Sequence, residues 1–178
     1  MAIWRKMCRC FAHESKIRIN FVITINLPPM TQINFMTENA TLPEFNREVA
    51  KGWIVQVAER LGKKVGTLTY VFCDDEYILK VNREFLKHDY YTDIITFDYS
   101  TRQRIGGDMV ISLDTVRTNA EQLGAKYETE LMRVVIHGVL HLCGINDKGP
   151  GEREIMEQHE NDALAILPIN IFKENDES

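Results

Sequence analysis

Four cysteines in 178 residues, at positions 8, 10, 73 and 143, make no framework of spaced pairs. A chain of this length buries enough surface to fold without disulfides, so the sequence reads as a reduced, cytoplasmic protein. Also lacking is an apolar run near the ~20 residues of a bilayer-spanning helix. The longest uncharged stretch, residues 19–37, is broken by Asn20, Asn26, Pro28, Pro29, Gln32 and Asn34, and no membrane partner is expected. Glycine and proline are few, 10 and 5, and no repeat or low-complexity tract occurs, which excludes fibrous and largely unfolded classes. There is no excess of positive charge either. A net charge of −5 disfavours a protein that coats phosphates generally, so no DNA partner is expected and any contact with RNA is local.

Charge is uneven along the chain. Residues 1–29 carry five basic side chains against Glu14 alone, whereas the remainder holds 16 basic and 25 acidic. The first part has no helical face and no capping pattern, and Pro28-Pro29 stops it. Residues 1–35 read as a disordered or spurious extension, with translation starting at Met30 or Met36 and a transit peptide as the alternative. The Cys8-x-Cys10 pair with His13 is then without meaning. Residues 36–168 form the expected single domain and 169–178 a tail.

From residue 41 the pattern is orderly. Thr41 or Asn46 caps a helix whose apolar positions Phe45, Val49, Trp53, Val57 and Leu61 step by four, ended by Gly62. Residues 67–73 alternate as a strand does, and Asp74 or Asp75 caps a helix bearing Ile78, Leu79, Val81, Phe85 and Leu86. Residues 93–99 and 108–112 read as strands and a possible hairpin. Helices follow over 113–123, over 127–143 and from Gly151 to about 167. The order α-β-α-β-β-α-α-α predicts an α+β domain with a small mixed sheet.

The chemistry concentrates in residues 132–147. His137 and His141 are four apart, so on a helix the rings stand about 40° apart and about 6 Å along the axis, a grip for one metal ion. Gly144 ends the helix in a left-handed turn and folds Asn146-Asp147 back toward the rings, where Asp147 supplies a third, anionic ligand and open positions remain. In zinc proteases of the H-E-x-x-H type the residue after the first histidine is the general base; here it is Gly138, which has no side chain to accept a proton, so peptide hydrolysis by that route is not expected. Gly138 leaves room either for substrate or for a close-packed strand. His159 is an alternative third ligand, and otherwise a solvent-facing residue. Cys143 reads as a small buried apolar group, and the charged run Glu152–Glu160 as a solvated helix face.

The stretch His137-Gly-Val-Leu-His-Leu-Cys-Gly-Ile-Asn-Asp147 resembles the H-G-x-L-H-L-x-G-x-D-H signature of the YbeY family of metal-dependent endoribonucleases. Residues 81–97 resemble that family's L-N-x-x-[FYW]-R-x-x-D-x-x-T-D-V-L-S-F block, and Gly107-Asp108-Met-Val-Ile-Ser112 its G-D-I-x-I-S. Two departures stand out. The family's third ligand is usually histidine and is Asp147 here, which leaves Fe²⁺ or Mn²⁺ beside Zn²⁺ as candidates. Its arginine after the aromatic residue is Leu86 here, so Arg83 or His88 would have to replace it at phosphate, or the reaction must do without it.

The resemblance implies a YbeY-like α+β fold with a zincin-like metal helix, holding one divalent ion, Zn²⁺ by preference, on His137, His141 and Asp147. It implies a single-strand-specific endoribonuclease in 16S 3′-end maturation and ribosome quality control, with ribosomal RNA and small-subunit proteins as partners. A metal-bound water is the expected nucleophile and Asp93, along the cleft, the general base; Asp108 is the weaker candidate. Lys80, Arg83, Lys87, Arg102, Arg104, Arg117 and Arg133 are available to line the cleft. The alternatives are a ribosome-associated factor with a structural metal and a metal-dependent hydrolase of another substrate.

Overall fold

The computed structural model describes residues 31–42 and 44–172. The basic N-terminal segment with Cys8, Cys10 and His13, and residues 173–178 of the tail, lie outside them. No helix among the described residues is long and apolar enough to cross a membrane.

A four-stranded sheet organises the chain. Strand β1 (Gln32–Glu38) pairs in parallel with β2 (Lys64–Cys73), which pairs in parallel with β4 (Arg104–Ser112); β3 (Ile94–Asp98) is the antiparallel edge, in the order β1-β2-β4-β3. The hairpin of β3 and β4 is as expected from the sequence. Strand β1, however, was not expected, and it begins ahead of the domain start placed at residue 36. As an edge strand it buries only Ile33 fully, and after Ile33 and Phe35 its apolar alternation is broken by Met36 on the other face and Thr37 on theirs, so its pattern is weak. Helix α1 (Arg47–Arg60) makes the crossover from β1 to β2 that a parallel pair requires. Of its two candidate caps, Asn46 is used, its side chain accepting from the Val49 N–H at 3.2 Å.

After β2, Asp74 caps helix α2 (Asp75–Val81) by accepting from the Tyr77 N–H at 2.8 Å. The helix runs into a widened π turn over residues 82–86 and stops at Lys87, whose φ of 61° is left-handed. Ser112 ends β4 and caps helix α3 (Leu113–Leu123); its hydroxyl and that of Thr115 both donate to Asp75, tying α2 to α3. Helix α4 (Tyr127–Leu142) and helix α5 (Glu152–Leu164) complete the fold.

The alternation along β2 divides the core. Leu68, Tyr70 and Phe72 face α1, α4 and α5, joining Trp53, Ile54, Met109, Leu131, Met132 and Ile136; Val71 and Cys73 face α2, with Ile78, Val81, Ile95 and Val110. Each fully buried large side chain contributes about 1.5–3 kcal/mol. The polar ends left in the larger core find partners: the Trp53 indole N–H donates to the Ala163 carbonyl at 2.9 Å, so α1 and α5 are bonded as well as packed. Helix α4 therefore lies between the sheet and α5, and residues on its sides are held from both.

Candidate metal centre

Helix α4 ends in a reversal that determines the site. Gly144 has φ 97°, its N–H donates to the His141 carbonyl at 2.9 Å, and the Ile145 N–H donates to the Leu140 carbonyl at 3.0 Å, which is a Schellman cap. The chain turns back beside the helix, as the glycine predicts. His137 and His141 sit one turn apart with ring centroids 4.4 Å apart and planes at 86°. Asp147 comes back over them, its Oδ2 3.7 Å from the Nε2 of each ring.

The hydrogen bonds fix the rings. The His141 Nδ1 is 2.9 Å from the Ile145 carbonyl, which can only accept, so Nδ1 carries the proton and Nε2 presents its lone pair. The His137 Nδ1 is 2.7 Å from Glu160 Oε1 on α5, giving the same arrangement. Two imidazole lone pairs and a carboxylate oxygen thus face one point, too far apart to bond one another. Such acceptors repel unless a cation lies between them. Ligands placed tetrahedrally about 2.1 Å from a zinc ion are separated by roughly 3.4 Å, so the observed 3.7 Å suits a divalent metal with little adjustment. Among the described residues no other cluster of histidine, cysteine or carboxylate side chains converges this way.

Glu160 is the residue that the sequence reading missed. Residues 152–160 were expected to form a solvated face, yet Glu160 is 7% exposed and shares the inner face of α5 with Met156 and Ala163. The 4-3 spacing of Met156, Glu160 and Ala163 was the available signal. Arg133 donates to Glu160 Oε2 at 3.2 Å and lies 3.5 Å from Glu130. Burial alone would push the Glu160 carboxyl up, but the bond to His137 and the Arg133 charge outweigh it and its pKa is lowered. For His137 burial works downward, and the bond and charge of Glu160, with Asp93 and Asp147, prevail and raise it. His141 is lowered by burial and by the neighbouring His137.

His137, Asp147 and Asp93 line both arms of an open groove. One arm, about 740 Å³, passes Asn119, Arg133, Arg153 and Glu160; the other, about 490 Å³, passes His141, Thr96, Leu86, His88 and Tyr90. Asp93 lines the groove, with Oδ1 accepting from the Ile94 N–H at 2.8 Å and Oδ2 from the Asn119 amide at 3.4 Å. Asp108 is outside the groove lining and accepts from the Tyr99 hydroxyl at 3.1 Å. His159 lines a separate depression with Val57 and Arg60 and takes no part.

Of the seven basic side chains anticipated for the cleft, Arg133 alone lines it, and it is committed to Glu160; Lys148 and Arg153 are there instead. Arg83 pairs with Asp89 at 2.5 Å and lines a different depression, so of the two candidates for the missing arginine only His88 stands in the groove. Gly138 serves close packing: a Cβ there would lie 2.9 Å from Ile94 Cδ1 and 3.0 Å from Met109 Cγ. Cys143 is half-buried against the core, its thiol pushed up to about 11 by burial.

Comparison with known proteins agrees with this picture. The family described as Endoribonuclease YbeY matches residues 32–168. The chain is 62% identical over 136 residues to the Endoribonuclease YbeY of Parabacteroides distasonis, covering 76% of this chain and 96% of that one. It is 60% identical over 134 residues to that of Bacteroides thetaiotaomicron, covering 75% and 98%. A solution structure from Thermotoga maritima shares the fold at a TM-score of 0.54 and 22% identity, covering 75% of this chain and 90% of that one. By sequence, and with a cluster suited to a metal at the end of its signature helix, the chain belongs to the YbeY endoribonuclease family.

Proposed function

We propose that the chain is a metal-dependent endoribonuclease that cuts single-stranded RNA, acting on ribosomal RNA at the 16S 3′ end and in ribosome quality control in the cytoplasm, with small-subunit proteins as partners. The observation that carries the reading is the convergence of three mutually unbonded acceptors, His137 Nε2, His141 Nε2 and Asp147 Oδ2, in the middle of an open groove. The family name carried by the relatives supplies the substrate class.

His137, His141 and Asp147 would hold the ion, Zn²⁺ first, with Fe²⁺ and Mn²⁺ also suited to two imidazoles and one carboxylate. When bound, such an ion lowers the pKa of coordinated water and neutralises charge building on a phosphodiester oxygen. Glu160 holds His137 with Nε2 facing the site, and the Ile145 carbonyl does the same for His141. Asp93, on the same groove and already fixed by the Ile94 N–H, is positioned to accept a proton at its Oδ2. Asn119 orients that carboxylate oxygen.

Leu86 at the family's arginine position favours a second reading, a ribosome-associated factor whose metal is structural. Three protein ligands in an open groove favour the enzyme. Elemental analysis of untagged protein, paired with cleavage of ribosomal RNA by wild type, Asp147→Ala and the His137→Ala/His141→Ala double variant, decides between them. The expected result is stoichiometric metal and cleavage in wild type, both lost in the double variant, with metal strongly reduced in Asp147→Ala while the fold persists. Metal without cleavage in wild type would install the second reading; full metal in Asp147→Ala would remove that residue from the site.

A further inference from the structure

The smaller arm of the groove is lined by His141, Asp147, Ile94 and Thr96 and by a wall of unlike chemistry, made by Leu86, His88 and Tyr90. Tyr90 is 57% exposed and Leu86 42%, so the loop shows apolar surface to water beside the metal cluster. The surface is built, and the chain holds it firmly. The Tyr90 and His88 rings stack with centroids 5.2 Å apart and planes 20° apart, and the Tyr90 hydroxyl is 3.1 Å from His88 Nδ1. Asn82, 2% exposed, donates its amide to the Tyr90 carbonyl at 2.9 Å. Between the rings in sequence, Asp89 pairs with Arg83, which lies along another depression.

We propose that Leu86, His88 and Tyr90 form a stacking platform for an unpaired nucleobase of the strand whose phosphodiester lies at the metal cluster. The inference rests on the reading of the groove as a ribonuclease site. Lys148 and the His88 ring can meet a phosphate in this arm, but the ring of Tyr90 and the side chain of Leu86 cannot, whereas the face of any base gains a stacking surface on them. Bases in a duplex already stack on their neighbours and have no free face to offer. The platform therefore admits single strands and refuses duplexes without reading sequence. Leu86 adds apolar contact beside the two rings and carries no charge for the backbone.

The test measures equilibrium binding of the metal-loaded full chain to three probes of the same length: a short, hydrolysis-resistant phosphorothioate oligoadenylate, that strand annealed to its complement, and a ribose-phosphate strand without bases. Tyr90→Ala is expected to weaken binding of the single strand about tenfold, the loss of one base–aromatic stack, and to leave the duplex and the baseless strand unchanged. Tyr90→Phe keeps the ring and is expected to bind the single strand as wild type does. An undiminished affinity of Tyr90→Ala for the single strand overturns the platform. So does an equal loss for the baseless strand, which would mean a contact to the backbone or a disturbed loop. Because binding is the readout, failure of wild type to cleave RNA would sink the ribonuclease reading and leave this result to stand or fall separately.

Discussion

At the scale of single residues, the site depends on a glutamate outside the donor cluster. Glu160 fixes the His137 ring and raises its basicity from α5, 23 residues along the chain. Glu160→Gln keeps the shape and removes the charge, and is expected to lower metal affinity about 10- to 100-fold in a chelator-competition titration, with far-UV circular dichroism unchanged. The same pair sets a pH dependence. The His137 pKa lies above its ordinary 6.5, so its ionic contact contributes fully below about pH 6.5 and fades as pH rises through the raised value. The Glu160 pKa lies below its ordinary 4.5, so its contribution is present above about pH 4.5 and is lost as pH falls through the lowered value. Protons and metal compete for the His137 Nε2, and apparent metal affinity is expected to drop by about tenfold or more per pH unit below the raised His137 value, measured by calorimetry in buffers of different pH. The convergence of His137, His141 and Asp147 was legible, because i, i+4 histidines and a helix-ending glycine are local patterns. Glu160 was hidden because its partner is on another helix and its neighbours in sequence, Gln158, His159, Asn161 and Asp162, are all polar or charged.

At the scale of elements, the seat of α4 on the sheet places the site. Two glycines allow the approach, and they differ in what surrounds them. A Cβ on Gly107 would run into the Phe97 backbone carbonyl and both Leu142 Cδ atoms, at 3.1 and 3.2 Å, whereas one on Gly138 meets the side-chain ends of Ile94 and Met109. Backbone in a strand pair cannot retreat without losing its ladder, while side chains can turn. Gly107→Ala is expected to cost about 1–3 kcal/mol in urea unfolding, and Gly138→Ala less, since alanine's gain of about 1 kcal/mol in helix propensity offsets part of the crowding. The helices were read from their caps and periodicity with ends within a few residues. The hairpin was readable from its two apolar runs; β1 was not, because a half-exposed edge strand with one fully buried side chain, Ile33, carries too little alternation.

At the scale of the whole molecule, an acidic protein is paired with an acidic substrate. The groove offers Lys148, Arg153 and Arg133, and the last two are already paired with Glu157 and Glu160, at 2.9 and 3.2 Å. Few counterions are then released on binding: with about two phosphates neutralised, the slope of log affinity against log salt for single-stranded RNA is expected to be near −1.5 or shallower, read from titrations across salt concentrations. Attraction at a distance is weak and recognition must come from contact in the groove. The loop that carries Asp147 bears on how that contact is made. It is short, pinned at one end by the Gly144 reversal and at the other by the Gly149 N–H donating to Glu152 at 2.6 Å. Its conformational freedom is surrendered when the polypeptide folds, so an ion bound at the cluster would meet a third donor already in place, and its affinity would not be diminished by the ordering of a floppy segment.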